Sequence, residues 1–175
     1  MFTDLVLFDK KSEVFNKLNI KDFIRINFSK RDQLFALEGN LKLNRRFLSD
    51  RNLDVLVSPE KGITKDFFHY RNSGLNHVLC NLAKKNKIAI GFSFNEILNS
   101  SGIERSMILG RMMQNVKLCR KYKVSMVIAS FARNEFELRS LDSLKAFGSC
   151  IGMNPGEIEK ALNLVEDILK KHKFY

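Results

Sequence analysis

The sequence predicts an α/β fold built on a parallel sheet, and three observations carry that expectation. Short apolar runs rich in β-branched and aromatic residues recur along the 175 residues. Several are apolar almost throughout, as strands covered on both faces must be. Stretches of helical period alternate with them, most plainly after residue 66.

In chain order the expected strands are FTDLVLF (2–8), DFIRINF (22–28), QLFALEG (33–39), LDVLVS (53–58), FFHY (67–70), KIAIGFSF (87–94) and VSMVIASF (124–131). Links between the early strands, such as SKRD (29–32), are too short for a helix. Later, Leu75, Val78, Leu79 and Leu82 repeat at i, i+3, i+4 and i+7, which predicts a helix starting near Gly74 with Asn72 or Ser73 as its N-cap. In the 104–122 segment, Ile108, Met112, Val116 and Cys119 form one apolar stripe. The last helix has Asn154 as cap, Pro155 in its first turn and Glu157 at capping-box spacing. Ile158, Ala161, Leu162, Val165, Ile168 and Leu169 supply its buried face. This alternation fits either a barrel or an open doubly wound sheet. Complete eight-unit barrels need roughly 200 residues or more, so a barrel here has a stripped-down N-terminal half. With two prolines, nine glycines and no repeat, residues 1–175 read as a single domain.

Thirty Lys+Arg against 19 Asp+Glu give a net charge of +11, a field that attracts polyanions, of which nucleic acid is the commonest in a cell. Charge alone does not choose among RNA, DNA and anionic lipid. Cys80, Cys119 and Cys150 are widely spaced and form no CxxC, which points to buried thiols in a reducing compartment, without a disulfide frame or zinc site. No apolar run approaches the ~18 residues of a membrane span, and the apolar N-terminus has no basic leader. The expected location is cytoplasmic, with no membrane partner.

The polar string HYRNSGLNHVL (69–79) is the strongest functional signal. On a helix, His77, Asn81 and Lys84 share one side, away from the Leu/Val stripe. A lone exposed histidine is a general base only with an orienting partner, and none is identifiable, so no catalytic residue is expected. His69, His77 and His172 form neither HxH nor HExxH, and no phosphate-cradling glycine loop occurs, so no metal site is expected. Binding of a phosphate backbone suits the remaining pattern better. Arg71 and Asn72 follow FFHY, Arg133 and Asn134 follow VIASF, and Arg139 stands in FELRS. Arginine forks suit phosphate oxygens. Lys84, Lys85 and Lys87 end one helix and Lys117, Arg120 and Lys121 the next, where capping of the helix dipole accounts for them equally well. With no aromatic RNP motif, recognition would be of RNA shape and backbone rather than base stacking.

The stretches HYRNSGLNHVLCNLAKKNKIAIGF (69–92), VKLCRKYKVSMVIASFARNEFELRS (116–140) and DSLKAFGSCIGMNPGEIEKAL (142–162) closely resemble the ribonuclease P protein component 3 family, the thirty-kilodalton subunit of archaeal and eukaryotic ribonuclease P. The opening FTDL is similar too, and residues 9–66 match loosely. The resemblance implies an abbreviated TIM-like (β/α) barrel, related to polymerase and histidinol phosphatase-like phosphoesterases. Those carry an HxH near the first strand, where this chain has only Asp4. The implied role is that of a non-catalytic subunit of the endonuclease that removes the 5′ leader from precursor tRNA. Catalysis then belongs to the RNA subunit with its Mg²⁺, and this chain binds no cofactor. The implied partners are ribonuclease P RNA, protein component 2 and further protein subunits. Carried over by motif, Arg71, His77, Lys85, Lys121, Arg139 and Lys160 are implied in RNA contact or local architecture. The compact length points to the archaeal branch. Two alternatives remain: a relict phosphoesterase using Asp4, Glu38 and His69 with a divalent ion, and a general RNA-binding accessory protein.

Overall fold

The computed structural model describes residues 2–8, 13–18, 20–28 and 34–172. In chain order the elements are β1 (Phe2–Val6), α1 (Val14–Lys17), β2 (Ile20–Arg25), β3 (Ala36–Glu38), α2 (Asn44–Ser49), β4 (Val55–Val57), α3 (His77–Asn86), β5 (Ala89–Ser93), α4 (Phe94–Leu98), α5 (Gly102–Tyr122), β6 (Met126–Ala129), a 3-10 turn (Glu135–Glu137), α6 (Leu141–Cys150) and α7 (Pro155–His172).

Among the described residues every strand pairing is parallel. β1 pairs with β2, and β3, β4, β5 and β6 line up in that order. The chain beyond β6 joins the two sheets: the Phe131 amide donates to Leu5 O at 2.9 Å, the Leu7 amide donates to Ala132 O at 2.7 Å, and Val6 bridges to Ala132. The spatial order is therefore β2-β1-β6-β5-β4-β3.

Side-chain parity explains why the strands read as nearly continuous apolar runs. Val55 and Val57 point to one side of β4 and Leu56 to the other; Ala89 opposes Ile90 and Phe92 on β5; Val127 and Ala129 oppose Ile128 on β6. One cluster collects side chains from every strand, including Ile24 of β2 and Ala36 of β3 at the two ends of the order, together with Val165 of α7. A flat sheet could not bring its two edges into one cluster, so the sheet curls around it. Among the described residues the ring is not closed by strand hydrogen bonds. The outer face is covered by α2, α3, α5 and α6 through Leu48, Cys80, Ala83, Met112, Val116, Cys119, Leu144 and Phe147. This is the curled α/β arrangement expected of an abbreviated barrel. The reduced first half shows in α1 and α2, which span four and six residues. The SKRD link lies outside the described residues.

The helical stripes of α5 and α7 fall where the periodicity put them. Met112, Val116 and Cys119 are buried and Ile108 is partly so. The α7 capping box is reciprocal: the Glu157 amide donates to Asn154 Oδ1 and the Asn154 amide to Glu157 Oε2, each at 2.9 Å.

Three expectations fail. FFHY (67–70) is an exposed loop, with Phe68 96% exposed. Aromatic residues favour strands only where a sheet offers a packing surface. Here Phe67 and Tyr70 pack on each other instead, ring centroids 4.6 Å apart. The helix expected from Gly74 starts at His77 and is capped by Asn76, whose side chain accepts from the Leu79 amide at 2.9 Å. Leu75 is buried ahead of the helix and Val78 is 46% exposed, so the buried face is Leu79, Cys80, Leu82 and Ala83. Among the thiols, Cys80 and Cys119 are buried but Cys150 is exposed. Burial pushes the Cys80 thiol up to about 11 and holds Cys119 well above its ordinary value, so neither is a nucleophile at neutral pH.

Candidate functional site

The segment between β4 and α3 contains the RNSG tetrapeptide (71–74), and four side chains from outside it fix its backbone. Asp66 Oδ1 accepts from the Asn72 amide at 3.1 Å. Gln114 Nε2 donates to Arg71 O at 2.9 Å and to Ser73 Oγ at 3.1 Å. Asn115 Nδ2 donates to Ser73 O at 2.9 Å. Asn44 Nδ2 donates to Gly74 O at 3.1 Å and to Pro59 O at 2.8 Å. Asn44 and Asn115 are fully buried; Asn44 also accepts from the Asn40 amide at 2.8 Å, whereas Asn115 Oδ1 has no partner, so losing the Nδ2 bonds would leave further buried polar atoms unpaired at a cost.

Gly74 completes the turn. Its φ is +75°, and a Cβ there would lie 1.9 Å from Pro59 O, so both backbone conformation and space demand glycine. The backbone is held from within, leaving Arg71 exposed and Asn72 half-buried.

Arg71 is exposed, its guanidinium lying against α5 at Gly110, where a Cβ would fall 1.5 Å from Nη1. A cleft of about 540 Å³ brings Arg71, Asn72 and His77 together with Gln114 and Tyr122 of α5. His77, the first residue of α3, is exposed at that helix's N-terminus. Phosphate oxygens are favoured at such a position by the unpaired backbone amides. Asn81, Lys84 and Lys85 continue the exposed face of α3, and Lys121 stands at the end of α5 beside Tyr122, 5.6 Å over its ring.

The remaining candidates are placed elsewhere. Lys160 lines a separate groove with Arg120 and Lys123. Arg120 is itself committed, forking onto both oxygens of Glu157 at 2.7 Å and donating to Gly152 O at 2.8 Å. Arg133 is exposed, and its amide donates to Glu137 Oε2 at 2.7 Å. Arg139 is half-buried: Nη1 donates to Phe136 O and Leu138 O, at 3.0 and 2.7 Å, and its guanidinium lies 5.3 Å over the Phe94 ring. Arg139 braces the 3-10 turn more than it offers a fork to solvent.

The residues of the phosphoesterase alternative do not converge. Asp4 is fully buried, with Oδ1 accepting from the Leu5 and Ser130 amides at 2.9 and 2.8 Å, and burial pushes its carboxyl up to about 6. Glu38 pairs with Lys61, and His69 is exposed against Phe68. Among the described residues, no three His, Cys, Asp or Glu side chains could hold a metal ion together. No helix of the described residues is long and apolar enough to cross a membrane.

Sequence reasoning missed the polar set beneath the loop: Asn44, Glu60, Asp66, Arg111 and Asn115. Arg111 donates through Nε to Asp66 Oδ1 at 2.7 Å and through Nη1 to Ile63 O. Glu60 accepts from Asn115 Nδ2 at 3.0 Å, and its carboxyl is pushed up to about 8, chiefly by burial with Glu96 adding to it. A signal existed: Arg111 and Asn115, four residues apart, interrupt the apolar side of α5.

The RNase P subunit p30 family model matches residues 18–174. Among curated proteins, the chain is 31% identical over 145 residues to ribonuclease P protein component 3 of Methanococcus maripaludis, covering 83% of this chain and 53% of that protein. It is 33% identical over 121 residues to that of Methanocaldococcus jannaschii, covering 69% and 49%. To that of Methanosarcina acetivorans it is 34% identical over 143 residues, covering 81% and 56%. The chain thus spans about half the length of the curated relatives it matches. A chain in the cryo-EM structure of archaeal ribonuclease P with mature tRNA shares the fold, with a TM-score of 0.73 at 24% identity, covering 98% of this chain and 81% of that one.

Proposed function

Since the chain belongs to the RNase P subunit p30 family, we propose that it is a non-catalytic protein subunit of ribonuclease P. In this reading it binds the ribonuclease P RNA and supports removal of the 5′ leader from precursor tRNA, while the RNA and its Mg²⁺ carry the chemistry. Protein component 2 is its direct partner, further protein subunits complete the particle, and the assembly is cytoplasmic. The single observation that carries the reading is the RNSG loop. Its backbone is fixed by Asn44, Asp66, Gln114 and Asn115, while Arg71, Asn72 and the α3 N-terminus at His77 meet in one solvent-facing cleft. Preorganised donors of this kind bind phosphate without having to order a loop first. The exposed lysines Lys84, Lys85 and Lys121 extend the same positive surface; Arg133, Arg139 and Lys160 are secondary contacts of the proposal.

The test is affinity for folded ribonuclease P RNA across a salt series. Wild type should lose affinity with a slope in log salt of about −0.7 to −0.9 per phosphate contact. Arg71→Ala should flatten the slope by about one contact and weaken binding roughly tenfold, with the thermal midpoint little changed. Equal binding by wild type and Arg71→Ala, or equal affinity for unrelated structured RNAs, would overturn the reading. The latter result would favour the general RNA-binding accessory role.

A further inference from the structure

At the C-terminal ends of β4 and β5 a second cleft, of about 510 Å³, shares no lining residue with the cleft at Arg71 and His77, although its Glu60 and Arg111 bond to Asn115 and Asp66 beneath the RNSG loop. Its chemistry is opposite to that of the rest of this +11 chain. The Lys61 ammonium is held between Glu38 and Glu96, 3.0 Å from Glu96 Oε1; burial opposes its charge, but the two carboxylates hold its pKa above the ordinary value. Arg111 is paired to Asp66. Two cations are thus matched by three carboxylates before Glu60 and Glu104, both in the cleft wall, are counted.

The floor is unfinished. Ser58, Glu60 and Arg111 line the cleft, are 1%, 3% and 3% exposed, and each has a polar atom with no partner: Ser58 Oγ, Glu60 Oε1 and Arg111 Nη2. Buried groups of this kind are normally satisfied. Arg111 Nη2 needs an acceptor, Ser58 Oγ can donate or accept, and Glu60 Oε1 accepts from an N–H donor once its carboxyl is ionised. The wall is apolar: Ile63, Ile103, Met107 and Ile108, with Ile103 80% exposed at the mouth. Such a wall suits an aliphatic stem carrying a charged head.

We propose that this cleft receives a lysine or arginine side chain of a protein partner. The stem lies along Ile103 and Met107, the cationic head meets Glu60 and Glu96, and a backbone carbonyl of the same segment accepts from Arg111 Nη2. An anion is the poorer occupant, because both basic residues of the cleft are already paired with carboxylates. The inference stands independently of the RNA reading. Glu60 holds its proton at neutral pH and must release it to pair with the incoming cation. The other charged groups facing it are Lys61, Glu96, Glu104 and Arg111. Binding should therefore strengthen as pH rises, approaching tenfold per pH unit below about pH 8.

The experiment is an NMR titration of the full chain, labelled at isoleucine and methionine methyls, with N-acetyl-arginine amide. N-acetyl-citrulline amide serves as the uncharged isostere, with putrescine and inorganic phosphate as further probes. The proposal expects saturable shifts at Ile63, Ile103 and Met107 with the arginine probe only, strengthening with pH. Glu60→Gln should abolish the pH dependence and weaken binding at least tenfold, and Glu104→Gln, at the exposed rim, should weaken it two- to fivefold. Absence of saturable shifts, equal shifts with citrulline, or tighter binding of phosphate would overturn it. Tighter binding of putrescine would overturn the assignment to a protein side chain in favour of a polyamine.

Discussion

Replacing Gly74 by alanine tests how the RNSG loop is built. Two effects separate cleanly, because Gly62 has nearly the same backbone, φ +72° against +75°, with nothing within 4 Å of its would-be Cβ. At either position alanine is forced into the left-handed region, which costs about 1–2 kcal/mol. Only at Gly74 does the new methyl collide with backbone, 1.9 Å from Pro59 O and 2.6 Å from its carbonyl carbon. Relief of that overlap separates the two segments that Asn44 Nδ2 bridges, putting its bonds to Pro59 O and Gly74 O at risk. Each such buried bond is worth about 0.5–1.5 kcal/mol, with more lost if the amide stays buried and unpaired. Gly74→Ala should therefore cost about 3–5 kcal/mol and Gly62→Ala about 1–2. For a chain of this size the first lowers the thermal midpoint by roughly 10 °C and the second by a few degrees. Urea and thermal unfolding of the two variants, monitored by circular dichroism, measure the difference. Equal destabilisation would mean that the close approach of Gly74 to Pro59 imposes nothing.

Other consequences follow from single contacts. Glu60 keeps its proton in the folded state to about pH 8 while the unfolded chain sheds it near 4.5, so stability falls as pH rises between those values. The full effect is roughly 5 kcal/mol, and a urea series across that window should show Glu60→Gln losing stability far less steeply than wild type; parallel curves would contradict the assignment. Asn154→Ala removes one half of the α7 capping box and should cost about 1 kcal/mol by chemical denaturation. Arg139→Ala should cost about 1–2 kcal/mol through its two carbonyl bonds and its place over Phe94. Its effect on RNA affinity should be smaller than that of Arg71→Ala; the reverse order in a binding assay would return Arg139 to the front of the interface.

What the sequence disclosed, and what it did not, follows the range of the forces involved. The stripe Met112, Val116 and Cys119 and the box Asn154–Glu157 were legible because each is a local pattern with a fixed period or spacing. The strands were legible because both faces are covered, leaving apolar runs such as VLV and AIGFS. FFHY misled because aromatic composition imitates a strand without a sheet to receive it. The RNSG string was visible as chemistry, but its supports were not. Asn44, Gln114 and Asn115 lie 30 to 43 residues from the RNSG groups they hold, and Asp66 reaches Asn72 within an irregular segment, so none of these hydrogen bonds leaves a periodic mark. For the same reason the helix start slipped to Asn76: Ser73 looks like a cap in sequence, but its hydroxyl and carbonyl are already taken by α5.

The most direct test of the central claim is to purify the tagged protein from its own cells at moderate salt, sequence the RNA that accompanies it, and assay the eluate on precursor tRNA. One dominant structured RNA is expected, with 5′-leader cleavage in the same fractions and loss of both when Arg71 is replaced by alanine and the salt is raised. A protein that emerges without RNA, or coated with an unselected mixture and inactive on precursor tRNA, would contradict it.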